Sequence, residues 1–136
     1  MSQEERTGWR DAGLSARHRS WGWDCPAVDI DFLLVEYDLG KPIALIEYKN
    51  EHATPQQKTH PSFNALIELG NRASIPVFAC RYKDDFSNFR VIPLNDFSKE
   101  YVPKRITLTE LEYVNLLYKL RGRKMPEELS KKLGCT

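Results

Sequence analysis

Two apolar runs joined by a turn, a helical stretch and then a third apolar run predict a mixed α/β (α+β) fold. The expected architecture is a central mixed β-sheet with an antiparallel hairpin, flanked by helices. Val28 to Tyr37 is rich in β-branched and aromatic residues, and Asp38-Leu39-Gly40-Lys41-Pro42 supplies turn chemistry before a second apolar run that reaches Lys49. Antiparallel entry into the sheet, followed by a helical crossover to the next strand, argues against a fully parallel doubly wound sheet.

The elements follow in order. Residues 4 to about 19 are polar and interrupted by Gly8 and Gly13, which predicts a short helix or a helix and turn. After the hairpin, Thr54-Pro55 reads as an N-cap with proline at the first helical position, opening a helix to about Ala73. Phe63, Leu66, Ile67 and Leu69 give it one apolar stripe, and Pro61 bends or delays it. Ile75 to Tyr82 reads as a buried strand, Lys83 to Asn88 as a loop, and Phe89 to Leu94 as a strand whose Pro93 marks an edge or an end. Thr109-Glu110-Leu111-Glu112 is a capping box that starts a helix ending at Gly122, and Pro126 to Leu133 predicts a last short helix.

A chain of 136 residues is one ordinary domain, 1–136, able to bury about two thirds of its unfolded surface without disulfides or a structural metal. No apolar run approaches the ~18 residues of a membrane span, and the Met1 to Arg6 segment lacks the apolar centre of a signal peptide. The expectation is a cytoplasmic protein without membrane association. Cys25, Cys80 and Cys135 are odd in number and have no CxxC pair, which excludes a disulfide framework and a thiolate zinc site. Cys80, in an apolar run, reads as a small buried hydrophobe.

A net charge of +1 gives no global signal for nucleic acid, but its distribution is uneven. Asp29, Asp31, Glu36, Asp38, Glu47 and Glu51 crowd a segment that holds only Lys41 and Lys49, with basic residues on both sides. Asp29 and Asp31 precede the first apolar run, and Glu47 and Lys49 end the second. Alternation puts Asp29 and Asp31 on one face, and Glu47, Lys49 and Glu51 on another. Whether those faces coincide depends on the turn. A three-residue loop, Asp38 to Gly40, sets Asp31 opposite Glu47 and Asp29 opposite Lys49; a five-residue loop brings Asp31 opposite Lys49. Loops of two or four residues separate the acids unless a bulge intervenes. The expectation is an odd loop or a bulge.

On one face, Asp31 and Glu47 can hold a hard divalent cation, Mg2+ or Mn2+, with the Tyr48 backbone carbonyl and waters completing the shell and Asp29 as reserve ligand. Such an ion polarises a phosphate and activates water, and Lys49 orients that water or stabilises developing charge. The competing reading is a surface Glu47/Lys49 pair with edge-strand aspartates that discourage aggregation. Against it, these charges interrupt or end strands that are otherwise nearly all apolar, where burying a charge is costly.

The stretch VDIDFLLVEYDLGKPIALIEYKN resembles the PD-(D/E)XK nuclease superfamily, whose members include restriction endonucleases, Holliday junction resolvases and small phage-type or repair nucleases. The resemblance implies a restriction-endonuclease-like core over about residues 1–95, with a C-terminal helical extension over about 105–133. It sets Glu47 and Lys49 at the E-x-K positions and Asp31, or Asp29, at the preceding acid. The Pro-Asp dipeptide is absent, because Ala27 and Val28 separate Pro26 from Asp29. A first-helix glutamate, frequent in that family, would fall to Glu4 or Glu5, or to Asp11 as the acid there.

The implied activity is metal-dependent hydrolysis of duplex or branched DNA; the alternative is a non-catalytic module that binds nucleic acid or protein. Arg17 and Arg19 beside Trp21 and Trp23, and Gln57 and Lys58 near the start of the second helix, are candidate phosphate or base contacts. His18, His52 and His60 lack ligand partners at zinc spacing. The two apolar faces of the Thr109 to Gly122 helix predict deep burial or a homodimer.

Overall fold

A computed structural model describes residues 12–21, 30–52 and 61–134. Its elements are α1 (Ala12–Ser20), β1 (Phe32–Glu36), a single 3-10 turn (Tyr37–Leu39), β2 (Lys41–Asn50), α2 (Pro61–Ala73), β3 (Val77–Tyr82), β4 (Phe89–Pro93), α3 (Asp96–Lys99), β5 (Ile106–Leu108), α4 (Glu110–Leu120) and α5 (Glu127–Gly134). The five strands form one sheet in the order β1-β2-β3-β4-β5. β2 and β3 are parallel and every other neighbouring pair is antiparallel. This is the mixed, helix-flanked arrangement the sequence predicts for a restriction-endonuclease-like core.

The hairpin turn has four residues, Tyr37 to Gly40, between the paired Glu36 and Lys41. Gly40 closes it at φ 60°, the left-handed conformation that a side chain would strain, and its N–H donates to the Tyr37 carbonyl at 3.1 Å. A bulge follows: Val35 pairs with Pro42 but Leu34 pairs with Ala44, leaving Ile43 as the extra residue. β1 is shorter than the predicted strand, because Tyr37 belongs to the turn and Val28 and Asp29 lie outside the described residues.

Alternation divides β2 between two cores. Ala44 and Ile46 join Phe78, Cys80 and Val91 beneath Tyr113, Leu116 and Leu120 of α4. Leu45 faces the other way and packs with Val77 and Leu66 of α2. Fully burying side chains of this kind stabilises by about 1.5–3 kcal/mol each. The expected α2 stripe is narrower than its pattern, since Phe63 and Leu66 are buried but Leu69 is exposed. The predicted start of this helix at Thr54 lies outside the described residues, among which it begins at Pro61.

Helix α4 has the predicted ends. Thr109 accepts from the Glu112 N–H while Glu112 accepts from the Thr109 N–H, completing the capping box. Gly122, at φ 71°, donates to the Lys119 carbonyl and Arg123 donates to the Tyr118 carbonyl, the two bonds of a glycine-terminated helix. Two elements were not predicted. β5 is three residues long, and α3 is a single turn capped by Asn95. The Asn95 side chain is buried and fully used: its carbonyl accepts from Val77 N and Ser98 N, and its amide donates to the Ile75 carbonyl and to Asn71. Among the described residues, no helix is long and apolar enough to cross a membrane.

Candidate metal centre

The bulge governs where the hairpin acids meet. A four-residue loop alone would turn Asp31 and Glu47 to opposite faces, and the single extra residue at Ile43 restores the common face. One step beyond the Phe32–Ile46 pair, Asp31 stands at the level of Glu47. Leu45 N–H points to β3, where the Pro76 carbonyl accepts it. Glu47, two residues on, has the same sense, so Asp31 and Glu47 meet where no hydrogen bonds join the strands and side chains approach most closely.

The Asp31 carboxylate accepts from the Tyr48 N–H at 3.2 Å. Because N–H and C=O of one strand residue point the same way, the Tyr48 carbonyl also faces the β1 side. Lys49 Nζ lies 3.6 Å from Glu47 Oε1, and the Glu47 side chain is only 13% exposed. Burial, and next the Asp31 charge, push the Glu47 carboxyl above its ordinary value, while Lys49 acts in the opposite sense. Glu47 therefore has an ammonium and a second carboxylate as neighbours. The oxygens here are hard donors, the chemical type that Mg2+ and Mn2+ prefer.

On the opposite face, the Tyr48 ring packs edge-on to Phe32 and its hydroxyl hydrogen-bonds to that of Tyr113. Burial raises the Tyr48 hydroxyl and the Cys80 thiol to about 12 each, so both are neutral near pH 7. Cys80, 1% exposed, is the small buried hydrophobe the sequence predicts.

A second cluster lies where β2 and β3 end. Glu51, His52 and Asp84 have ligand atoms within 4.8 Å of one another and could hold a divalent metal ion. His52 Nε2 is 3.1 Å from Asp84 Oδ2 and 3.9 Å from Glu51 Oε2, and the Asp84 N–H donates to Glu51 at 3.1 Å. The Asn50 amide, then His52, hold the Asp84 carboxyl below its ordinary value. An imidazole beside two carboxylates suits Mn2+ better than Mg2+. Four residues of strand put about 13 Å between the Glu47 and Glu51 backbones. Paired catalytic metals sit about 3.5–4 Å apart, so the two clusters are separate positions.

None of the histidines has partners at zinc spacing along the chain, but His52 gains Glu51 and Asp84 as neighbours in space. Spacing along the chain missed Asp84, which comes from a loop thirty-two residues away. The parallel register brings them together: Asn50 pairs with Tyr82, so the polar runs that follow these residues are neighbours. Arg17 is exposed on α1, and Arg19 is on the same helix. Asp29, Gln57, Lys58 and Trp23, with Glu4, Glu5 and Asp11, lie outside the described residues.

The structure is a mixed α/β domain, consistent with a generic nuclease-like fold, whose Glu51/His52/Asp84 cluster could hold a divalent cation. Comparison with known families, characterised proteins and solved structures gives no match.

Proposed function

We propose that this protein is a divalent-metal-dependent nuclease hydrolysing phosphodiester bonds in DNA, a member of the PD-(D/E)XK superfamily by the pattern of its hairpin. The observation that carries this reading is the pairing of Asp31 with Glu47 on one face, with Lys49 Nζ 3.6 Å from Glu47. In this reading Asp31, Glu47 and the Tyr48 carbonyl hold Mg2+ or Mn2+. The bound ion supplies Lewis-acid activation of the phosphate and of a water. Lys49 then stabilises the charge that develops on the phosphoryl oxygens and keeps the attacking water oriented. Glu47, partly buried, keeps its carboxylate aimed beside Asp31 instead of into bulk water. Arg17 and Arg19 would meet the phosphate backbone.

The test is incubation of purified protein with duplex, single-stranded and branched DNA, with Mg2+, Mn2+ or chelator. Cleavage is expected only with metal, and Lys49→Ala and Glu47→Gln should both abolish it. Cleavage that survives Lys49→Ala but disappears in Asp84→Asn would move the site to the Glu51/His52/Asp84 cluster. Metal-independent binding that weakens steeply with salt, without cleavage, would favour the binding-module alternative.

A further inference from the structure

At the β5 edge, far from the hairpin, lies a cavity of about 390 Å³ between the Tyr101–Arg105 segment, β5 and α4. Its floor continues the larger core. Val102 and Leu116 are buried, Leu108 is half-buried, and Ile106, on the same side of β5 by alternation, is 45% exposed. The rim is cationic, with Lys104 and Arg105 on one side and Lys119 of α4 on the other. Among the described residues, none of these three side chains makes an ion pair or hydrogen bond. The one carboxylate at the rim, Glu112, is already occupied by the Thr109 N–H at 2.8 Å in the helix cap.

An apolar hollow of this volume lies within the range of small-ligand sites, roughly 300–1,000 Å³, which are lined by apolar side chains with a few polar groups fixing orientation. Three unpaired cations around an apolar floor select charge as well as shape. We propose that this cavity binds a single small amphiphilic anion, its alkyl or aromatic body on Ile106, Leu108 and Leu116 and its acidic head against Lys104, Arg105 and Lys119. Neither Asp31 nor Glu47 takes part, so the site stands or falls independently of nuclease activity.

The probe is octanoate, with octanol as its uncharged counterpart, titrated into the full chain by calorimetry and by amide chemical-shift mapping. Octanoate is expected to bind one to one, with shifts confined to Tyr101–Leu108 and Glu112–Lys119. Octanol should bind at least about tenfold more weakly, the loss expected for one charge-assisted contact. The exposed-residue variant Lys104→Ala/Arg105→Ala/Lys119→Ala should remove that preference while keeping the wild-type circular dichroism, and Ile106→Asn should weaken both ligands. Failure of octanoate to saturate, equal binding of octanoate and octanol, or shifts that map elsewhere would overturn the proposal. Binding to phosphatidylglycerol vesicles without binding of free octanoate would also overturn it.

Discussion

Glu36 and Glu47 belong to the same hairpin, are nearly equally hidden, and have opposite electrostatics. Glu36, facing α4, has a side chain 6% exposed and pairs with Arg121 and, at 2.9 Å, with Arg123. The Arg121 hydrogen bond foremost holds its carboxyl below the ordinary value. Glu47, on the other face, has Lys49 at 3.6 Å and the Asp31 carboxylate beside it, and its carboxyl is raised. Burial alone does not distinguish them. The neighbouring charges do: among the described residues Glu36 pairs with two cations, whereas Glu47 pairs with one and has a carboxylate beside it. The Glu36 charge is balanced inside the protein, whereas the surplus carboxylate beside Glu47 is what the proposed cation would offset.

The largest effect that can break this contrast is on catalysis. Lys49→Ala is expected to lower metal-dependent DNA cleavage by about 100-fold or more, the usual consequence of deleting one group that stabilises transition-state charge. Glu36→Gln should leave the cleavage rate of folded protein unchanged. Equal losses for these two variants in single-turnover assays would mean that the Glu47/Lys49 pair and the Glu36 cluster are not functionally distinct.

Stability should show the reverse order. Glu36→Gln is expected to lower the thermal midpoint, because it leaves Arg121 and Arg123 at the sheet edge without their carboxylate. Without divalent metal, Glu47→Gln should leave the midpoint unchanged or raise it, since it removes a carboxylate repelled by Asp31. Differential scanning calorimetry in chelator distinguishes the two.

Divalent cation sharpens the contrast further. Mg2+ or Mn2+ at about a hundred times its dissociation constant should stabilise wild type by about 2.7 kcal/mol. Glu47→Gln should lose most of that gain and Glu36→Gln should keep it. A gain lost instead in Asp84→Asn would assign the bound ion to the other cluster.

The smallest effects are in the pH dependence of stability. The pKa of Glu36 falls on folding, so its contribution is complete above the ordinary value of 4.5 and disappears as pH falls through the lower folded value. The difference between wild type and Glu36→Gln should therefore shrink below about pH 4.5. For Glu47 the sign reverses: its folded value lies above 4.5, so repulsion sets in as pH rises through that value and vanishes below it. Urea denaturation of both variants across acid pH measures each slope.

Local signals made much of the fold legible. Turn residues and alternating strands gave the hairpin, Thr109 and Glu112 gave one end of α4, and Gly122 gave the other. β5 escaped because Ile106-Thr107-Leu108 is too short to show a period, and only its pairing with β4 makes it a strand. Of the site, the common face of Glu47 and Lys49 follows from alternation alone. Bringing Asp31 to that face required a bulge at Ile43, for which the adjacent Pro42 is a signal that does not fix the position. The Arg121 and Arg123 partners of Glu36 and the Asp84 partner of His52 are contacts made by tertiary packing, invisible to any local pattern.

The bulge at Ile43 also makes the hairpin a parity device. Insertions or deletions of two residues between Val35 and Ala44 keep the inward and outward sets of the two strands matched, and changes of one residue exchange them. Length variation in this turn is therefore filtered by evenness, not by size. A deletion of Ile43 alone, though it removes no charged group, would move Asp31 away from Glu47, carry Leu34 out of the core it now shares with Ile46 and Ala44, and turn Phe32 off the Tyr48 ring.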